Sequence, residues 1–396
     1  MHKLTRYELG AFLFKCAMFF AFLLSLNPYF LWSIGNYGYI VCFLFLGSVH
    51  LCSPKLFMFE KQSVILQVVL LLIIQLHLKS VNHVNIFGYI LGFIDWYILS
   101  RLLLVNSYLK KETIIFISKI LAVICLLSLV GFVLFIFGVH FSPYNTDFND
   151  GQYEYMNYTL FLLDYRSIME SIPRFHGIFL EPAHIGVAST MLLTALSFDF
   201  SKWYTKILLI TVLATFSLAS YGLLIFGLFA QYRTKVKMAF KYIFLLSGAL
   251  VFSYFVAVNY NDGDNMVNNL IIDRLEFEDG EMVGDNRVGD DFKADYDSFL
   301  TTDKIWLGTE FDPNKYETGN AGYRVFIYNN GLISLFFILC FYLLCLNGCS
   351  SKYSIPLFFM YAIIFWKGGT PLWYNLIIPY ICGLSMLPMF NVKSNS

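Results

Sequence analysis

Charge is scarce in this chain. Asp, Glu, Lys and Arg make up 14% of its 396 residues, against about 25% in ordinary soluble domains. The 27 acidic and 27 basic residues cancel, so no global field draws the chain toward nucleic acid. Paired-cysteine spacing is absent. Cys16, Cys42, Cys52, Cys125, Cys340, Cys345, Cys349 and Cys382 all fall in or beside apolar segments. Neither a disulfide framework nor a thiolate zinc site is expected from that pattern. The chain also lacks a Walker motif, a G-x-G-x-x-G and a G-x-S-x-G. A nucleotide-driven or serine-hydrolase mechanism therefore has no support in the sequence, and no cofactor is expected.

What fills the chain is apolar. Hydrophobic residues make up 58% of it, and the mean hydropathy is +0.63. The apolar runs are long and continuous, unlike the alternating segments of about ten residues that build a membrane barrel. We expect an all-α integral membrane protein, in which helices satisfy the backbone where lipid cannot. Lys3 and Arg6 precede an apolar run as in a signal peptide. The small-residue cleavage site is missing, so this run reads as a retained first helix.

At about 20 residues per span, helices are expected near 10–28, 37–52, 63–78, 86–105, 113–138 and 183–199. Others are expected near 205–217, 219–232, 239–258, 326–346, 354–366 and 371–390. The stretch 205–232 is too long for one span and short for two. Ser217, Ser220, Tyr221 and Gly222 in its middle favour two short helices over one tilted helix. With about 12 helices, one face collects Lys55, Lys61, Lys110, Lys111, Arg233, Lys235 and Lys237, while the short turns on the other face carry Lys79 and Lys367. The positive-inside rule then places both termini in the cytoplasm and both long loops outside. The organisation is 1–139 helical, 140–182 first outer loop, 183–258 helical, 259–325 second outer loop and 326–396 helical.

The first outer loop is rich in aromatics and acids, including Tyr144, Asp147, Tyr153, Tyr155, Tyr158 and Tyr165. Two readings stand: a sugar-binding surface, or tyrosines at home at a membrane interface. The second loop carries 16 acidic and 6 basic residues between Asn259 and Val325, about ten net negative charges (6 − 16). Its embedded Phe292, Phe299, Ile305, Trp306 and Leu307 argue for one or two short helices lying on the membrane surface.

One stretch concentrates ionisable groups where a membrane helix begins. Arg174, His176, Glu181 and His184 lie between a polar loop and the run opened by Pro182. Proline suits the first turn of a helix, and charge at a membrane boundary needs a partner or water. Glu181 reads either as a general base or as an N-terminal cap favoured by the helix dipole. His176 and His184 can relay protons near neutral pH or simply hydrogen-bond. The spacing of these three residues fits no zinc pattern, so no metal is expected. Arg174, Arg287, Arg324 and Arg274 can grip phosphate as bidentate forks, or pair with local acids such as Asp273 and Asp285.

Arg174-x-x-Gly177-x-Phe179-x-Glu181-Pro182 opening a helix resembles the R-x-x-G-x-F-x-E-P signature of Wzy-type polymerases of O-antigen and capsule repeat units. Further features match over roughly 170–345. They are the Ser-rich short helix pair, Asn286-Arg287, Trp306-Leu-Gly308, Asn320-x-Gly-Tyr323 and Asn330-Gly331-Leu-Ile. The resemblance implies a metal-independent glycosyltransferase in the bacterial inner membrane. It would move a growing glycan from undecaprenyl pyrophosphate to the non-reducing end of a new lipid-linked unit. Its partners would be that lipid-linked glycan, the membrane lipid and a chain-length regulator protein, with no nucleic acid. The resemblance further implies Arg174, Arg287 and Arg324 as pyrophosphate ligands and Glu181 as the acceptor of the attacking hydroxyl's proton. Arg274 is a fourth phosphate candidate by its own chemistry, His184 a second catalytic candidate, and His176, Asn320 and Tyr323 are candidates for the glycan. His184 stands where the family often has a small polar residue. The alternatives are an O-antigen ligase-like transferase, whose late His-x-Asn element is missing here, and a lipid-glycan flippase, which would show internal repeats.

Overall fold

Continuous apolar runs leave the backbone one economical solution, the helix, and the computed structural model of the chain is mostly helical. The structure describes residues 5–80, 86–148, 153–165, 173–232, 277–278, 281–282, 289–312, 315–316, 322–347, 351–368 and 370–386, with isolated positions at 248, 255 and 259. The helices are α1 (Arg6–Leu24), α2 (Tyr37–Cys52), α3 (Lys61–Ser80), α4 (Ile86–Leu104), α5 (Ser107–Ile136), α6 (Pro182–Ala195), α7 (Trp203–Ala214) and α8 (Leu218–Tyr232). There follow α9 (Asp290–Leu300), α10 (Tyr323–Cys345), α11 (Ser351–Gly368) and α12 (Tyr374–Met386).

Among the described residues, five helices are long and apolar enough to cross a membrane: α1, α3, α4, α5 and α10. The chain is a helical membrane protein. The stretch 205–232 forms two short helices, α7 and α8, broken at Thr215–Ser217 where Phe216 takes a positive φ. The helix expected over 239–258 falls almost wholly outside the described residues. Helix α5 starts earlier than expected because Asn106 caps it, its Oδ1 accepting from the Leu109 N–H at 2.8 Å.

The all-α expectation needs one correction. The first polar loop folds into an antiparallel meander of β1 (Tyr144–Phe148), β2 (Tyr153–Asn157) and β3 (Leu162–Asp164). Tyr144 pairs with Asn157 and Tyr155 with Asp164. The physical reason is period-two alternation: in β2, Tyr155 and Asn157 are buried while Glu154 is exposed.

The chain divides into two compact units. The first comprises Met1–Ser25, Ile34–Phe116 and Asn286–Ser396. The second comprises Leu26–Ser33 and Ile117–Asp285. In the first unit, α1 packs on α2 and α12, while α3 packs on α4 and α10. Helix α9 forms as expected from its apolar residues. It turns Phe292, Tyr296 and Phe299 to one side, at helical spacing. There they meet Phe311, Tyr316 and Tyr328 in edge and tilted ring contacts. Beside this aromatic cluster, the Asp295 carboxylate accepts from Lys315 and from the Tyr316 hydroxyl. Those two donors hold Asp295 below the usual carboxylate range.

Helix α10 is broken at Gly331, whose φ of 74° and ψ of 172° are not helical. The Tyr328 carbonyl, which an unbroken helix would pair with residue 332, instead accepts from Thr309 N at 2.7 Å. Trp306-Leu-Gly308 thus clasps the break. A Cβ on Gly308 would lie 2.2 Å from Asn329 O, and one on Gly331 would lie 2.4 Å from Trp306 O. Such contacts are with backbone and cannot be relieved by a rotamer change. Gly331→Ala should therefore lose more than the ~1–3 kcal/mol of a non-glycine residue in a glycine-only conformation. Gly308→Ala should destabilise for the same reason. Thermal unfolding of the purified protein in detergent checks both, and an unchanged midpoint would show that the clasp is dispensable.

Candidate functional site

The residues from Arg174 to Glu181 form an irregular strap that enters α6, and the second unit is built around its backbone. Phe175 N donates to Ala214 O at 3.1 Å. Leu162 N reaches Gly177 O at 2.7 Å, so the edge of the meander continues into the strap. Tyr29 N donates to Ile178 O at 3.0 Å, and Leu180 N donates to Asn27 O at 3.1 Å. Phe179 N closes a turn on His176 O, where Gly177 takes a positive φ of 57°. Inside a membrane protein, non-helical backbone persists only when its polar groups find such partners.

Side chains complete the anchoring. Phe175 is fully buried among Leu129, Phe132, Phe161 and Leu163. The Tyr155 hydroxyl donates to Leu180 O at 2.7 Å, with its ring edge-on to His176. Tyr155 is buried, and Tyr158 stacks on Phe161 at 4.8 Å. Two of the loop's tyrosines therefore hold the strap, while Tyr144 and Tyr165 remain exposed.

Six of the nine predicted site residues fall among the described residues. Arg174 donates from Nε to Thr215 O at 3.2 Å, at the C-terminal end of α7, where a cation is favoured by the helix dipole. His176 is only 4% exposed, with its Nδ1 hydrogen donated to Leu180 O at 3.2 Å. What it supplies directly is the shape of the strap. Pro182 occupies the first turn of α6, and Glu181 is the N-cap residue in extended conformation. The Glu181 carboxylate makes no cap hydrogen bond. It lies 3.8 Å from His184 Nε2, an ion-pair distance rather than a hydrogen bond. The Glu181 side chain is 38% exposed and that of His184 is 18% exposed.

The Ser-rich turn between α7 and α8 meets the same place. A Cβ on Gly186 of α6 would lie 2.4 Å from Ser220 Oγ and 3.0 Å from Thr215 Oγ1. Arg174, His176, Glu181, His184 and Thr215–Ser220 therefore form one neighbourhood within the second unit. Tyr323 and Arg324 belong to the first unit. There Tyr323 stacks on Trp366 at 3.9 Å, and Arg324 Nε donates to the Tyr323 hydroxyl at 3.3 Å. Arg287, Arg274 and Asn320 lie outside the described residues. Among the described residues, no group of three or more His, Cys, Asp or Glu is placed to hold a metal ion.

Sequence reading missed Asn27, Tyr29 and Thr215, whose contributions are main-chain carbonyls and N–H groups that any residue type supplies. Tyr155 was visible only as one of many tyrosines. Comparison with family models, curated proteins and solved structures returns no match.

The bond from Tyr155 to Leu180 O offers a direct check on the strap. Tyr155→Phe keeps the ring and removes the donor, leaving Leu180 O to the His176 Nδ1 hydrogen. A loss of about 0.5–1.5 kcal/mol is expected, together with faster amide exchange over 176–181. Exchange identical to wild type would show that this bond does not hold the strap.

Proposed function

We propose that the chain polymerises lipid-pyrophosphate-linked oligosaccharide units on the outer face of a bacterial inner membrane. In this reading about 12 spans place both termini in the cytoplasm and both long polar loops outside. The observation that carries the reading is the strap itself. It holds the Arg174 guanidinium and an uncapped Glu181–His184 pair around the start of α6.

That arrangement suits a glycosyl transfer whose leaving group is already good. Pyrophosphate departs with the electron pair of the anomeric C–O bond, and a hydroxyl of the second unit forms the new bond to that carbon. The main demands are to position two substrates and to neutralise developing charge. Arg174 neutralises the departing pyrophosphate, with Arg287, Arg274 and Arg324 as further cations of the outer loops. Glu181 takes the proton of the attacking hydroxyl, and His184 beside it steadies the carboxylate before the reaction and shares the proton after it. Half-exposure leaves the Glu181 carboxylate accessible to a hydroxyl.

Deletion of the gene, with surface polysaccharide displayed on a gel, tests this. Polymerase loss should collapse the ladder to a single repeat unit on its final acceptor. Arg174→Ala and Glu181→Ala should fail to restore it although each reaches the membrane, with activity down by at least about tenfold. Lipid-linked polymer with no attached glycan would instead mark a ligase. Units trapped on the inner face would mark a flippase.

A further inference from the structure

The first unit contains a cavity of about 750 Å³ between α3, α4, α10 and the start of α12. That is within the roughly 300–1,000 Å³ common for ligand pockets. Its wall carries Asp95, a carboxylate in the middle of the spanning helix α4. The buried Tyr374 hydroxyl donates to Asp95 Oδ1 at 2.7 Å, and Tyr39 stacks on the Tyr374 ring at 5.1 Å. On another wall, the Asn330 side chain donates from Nδ2 to Phe326 O at 3.1 Å. This orients its Oδ1 to accept from His77 Nδ1 at 2.8 Å. Trp373 also lines the space and is 37% exposed.

Two features mark the cavity as built rather than left over. An ionisable side chain within a membrane span is costly unless it serves a site. The break in α10 at Gly331 also lies directly after Asn329 and Asn330, both of which line the cavity. Broken helices in membranes occur where they border a cavity or are covered by protein.

Resting on the polymerase reading, we propose that this cavity binds a sugar of the oligosaccharide unit, with Asp95 accepting a hydroxyl and Trp373 offering a ring face. The donor set favours a polyol. Among the described lining residues Asp95 is the single carboxylate, whereas a hard cation collects several oxygen ligands. A lipid tail would leave Asp95, His77 and Asn330 facing hydrocarbon, a costly burial. A sugar offers hydroxyls to Asp95 and to the bonded His77–Asn330 pair while an aromatic covers its apolar face. The cavity lies in the first unit, away in sequence from the strap of the second, so it adds a glycan subsite to the proposed chemistry.

The test uses the full chain in lipid nanodiscs. The probe is the free oligosaccharide released by mild acid from lipid-linked units of the deletion host, titrated against intrinsic tryptophan fluorescence. Saturable binding is expected in the wild type. Asp95→Asn and Tyr374→Phe should each weaken it by about ten- to a hundredfold, as for a hydrogen bond to a charged group. Leu91→Trp fills the cavity with apolar bulk that the membrane interior tolerates, so it should abolish binding even if Asp95→Asn folds poorly. The proposal is overturned if the wild type does not bind the oligosaccharide, or if Leu91→Trp and Asp95→Asn bind it as the wild type does. It is also overturned if undecaprenyl phosphate alone, rather than the sugar, saturates the signal. A normal ladder from Asp95→Asn in the host, combined with unchanged binding, would sink this subsite alone. A ladder that survives gene deletion would sink the polymerase reading and the choice of ligand with it.

Discussion

The strap from Arg174 to Glu181 can exist only because its polar backbone is satisfied without a helix. Three different elements share that task. The turn after α1 supplies Asn27 and Tyr29, the meander supplies Leu162, and the end of α7 supplies Ala214, while the next carbonyl, of Thr215, accepts from the Arg174 side chain. In lipid each unmade bond of this kind costs several kcal/mol. The sheet, the early turn and the short helix pair are therefore required by the strap rather than added to it. Once the strap is held, the directions of Arg174, His176, Glu181 and His184 follow from it.

The first unit solves a similar problem with glycine. Helix α10 breaks at Gly331, and the loop segment Trp306-Leu-Gly308 closes over the break with backbone contacts that leave no room for a Cβ at either glycine. The carbonyl released by the break finds Thr309. Both units thus place irregular backbone, held by hydrogen bonds from other elements, beside their functional candidates: the Glu181–His184 pair in one, the Asp95 cavity in the other. Rigidity of this kind suits a catalyst that works by positioning and charge rather than by a strongly reactive group.

Much of the helical plan was legible in the residues, because long apolar runs and proline at a helix start are local signals. The pair α7 and α8 was read from Ser217, Ser220 and Gly222, which interrupt an apolar run. The meander over 144–164 was not read, although Tyr153-Glu-Tyr155 alternates. A loop between membrane helices carries little expectation of strands, and the buried side of that alternation is set by the strap it covers. For the candidate site, clustering of Arg174, His176, Glu181 and His184 was visible at short range in the sequence. That Glu181 leaves its helix end uncapped and faces His184 was not, since capping and pairing use the same residue type at the same position. Asp95 is a charge within an apolar run, but Tyr374 lies far away in sequence and only the packing of α4 against α12 brings it near. The motif segments Trp306-Leu-Gly308 and Asn330-Gly331 are separate in the sequence, and their contact depends on tertiary structure.

In the proposed polymerase the strap presents Arg174 to a departing pyrophosphate. The most direct measurement is reconstitution of the purified chain in liposomes with its lipid-linked repeat unit and no nucleotide sugar, following glycan length and free undecaprenyl pyrophosphate together. The account predicts that glycans of several repeats appear with one pyrophosphate lipid released per bond formed, and that Arg174→Lys, charged but without the planar fork, extends far more slowly. Extension at the wild-type rate by Arg174→Ala, or chain growth without release of the lipid pyrophosphate, would contradict it.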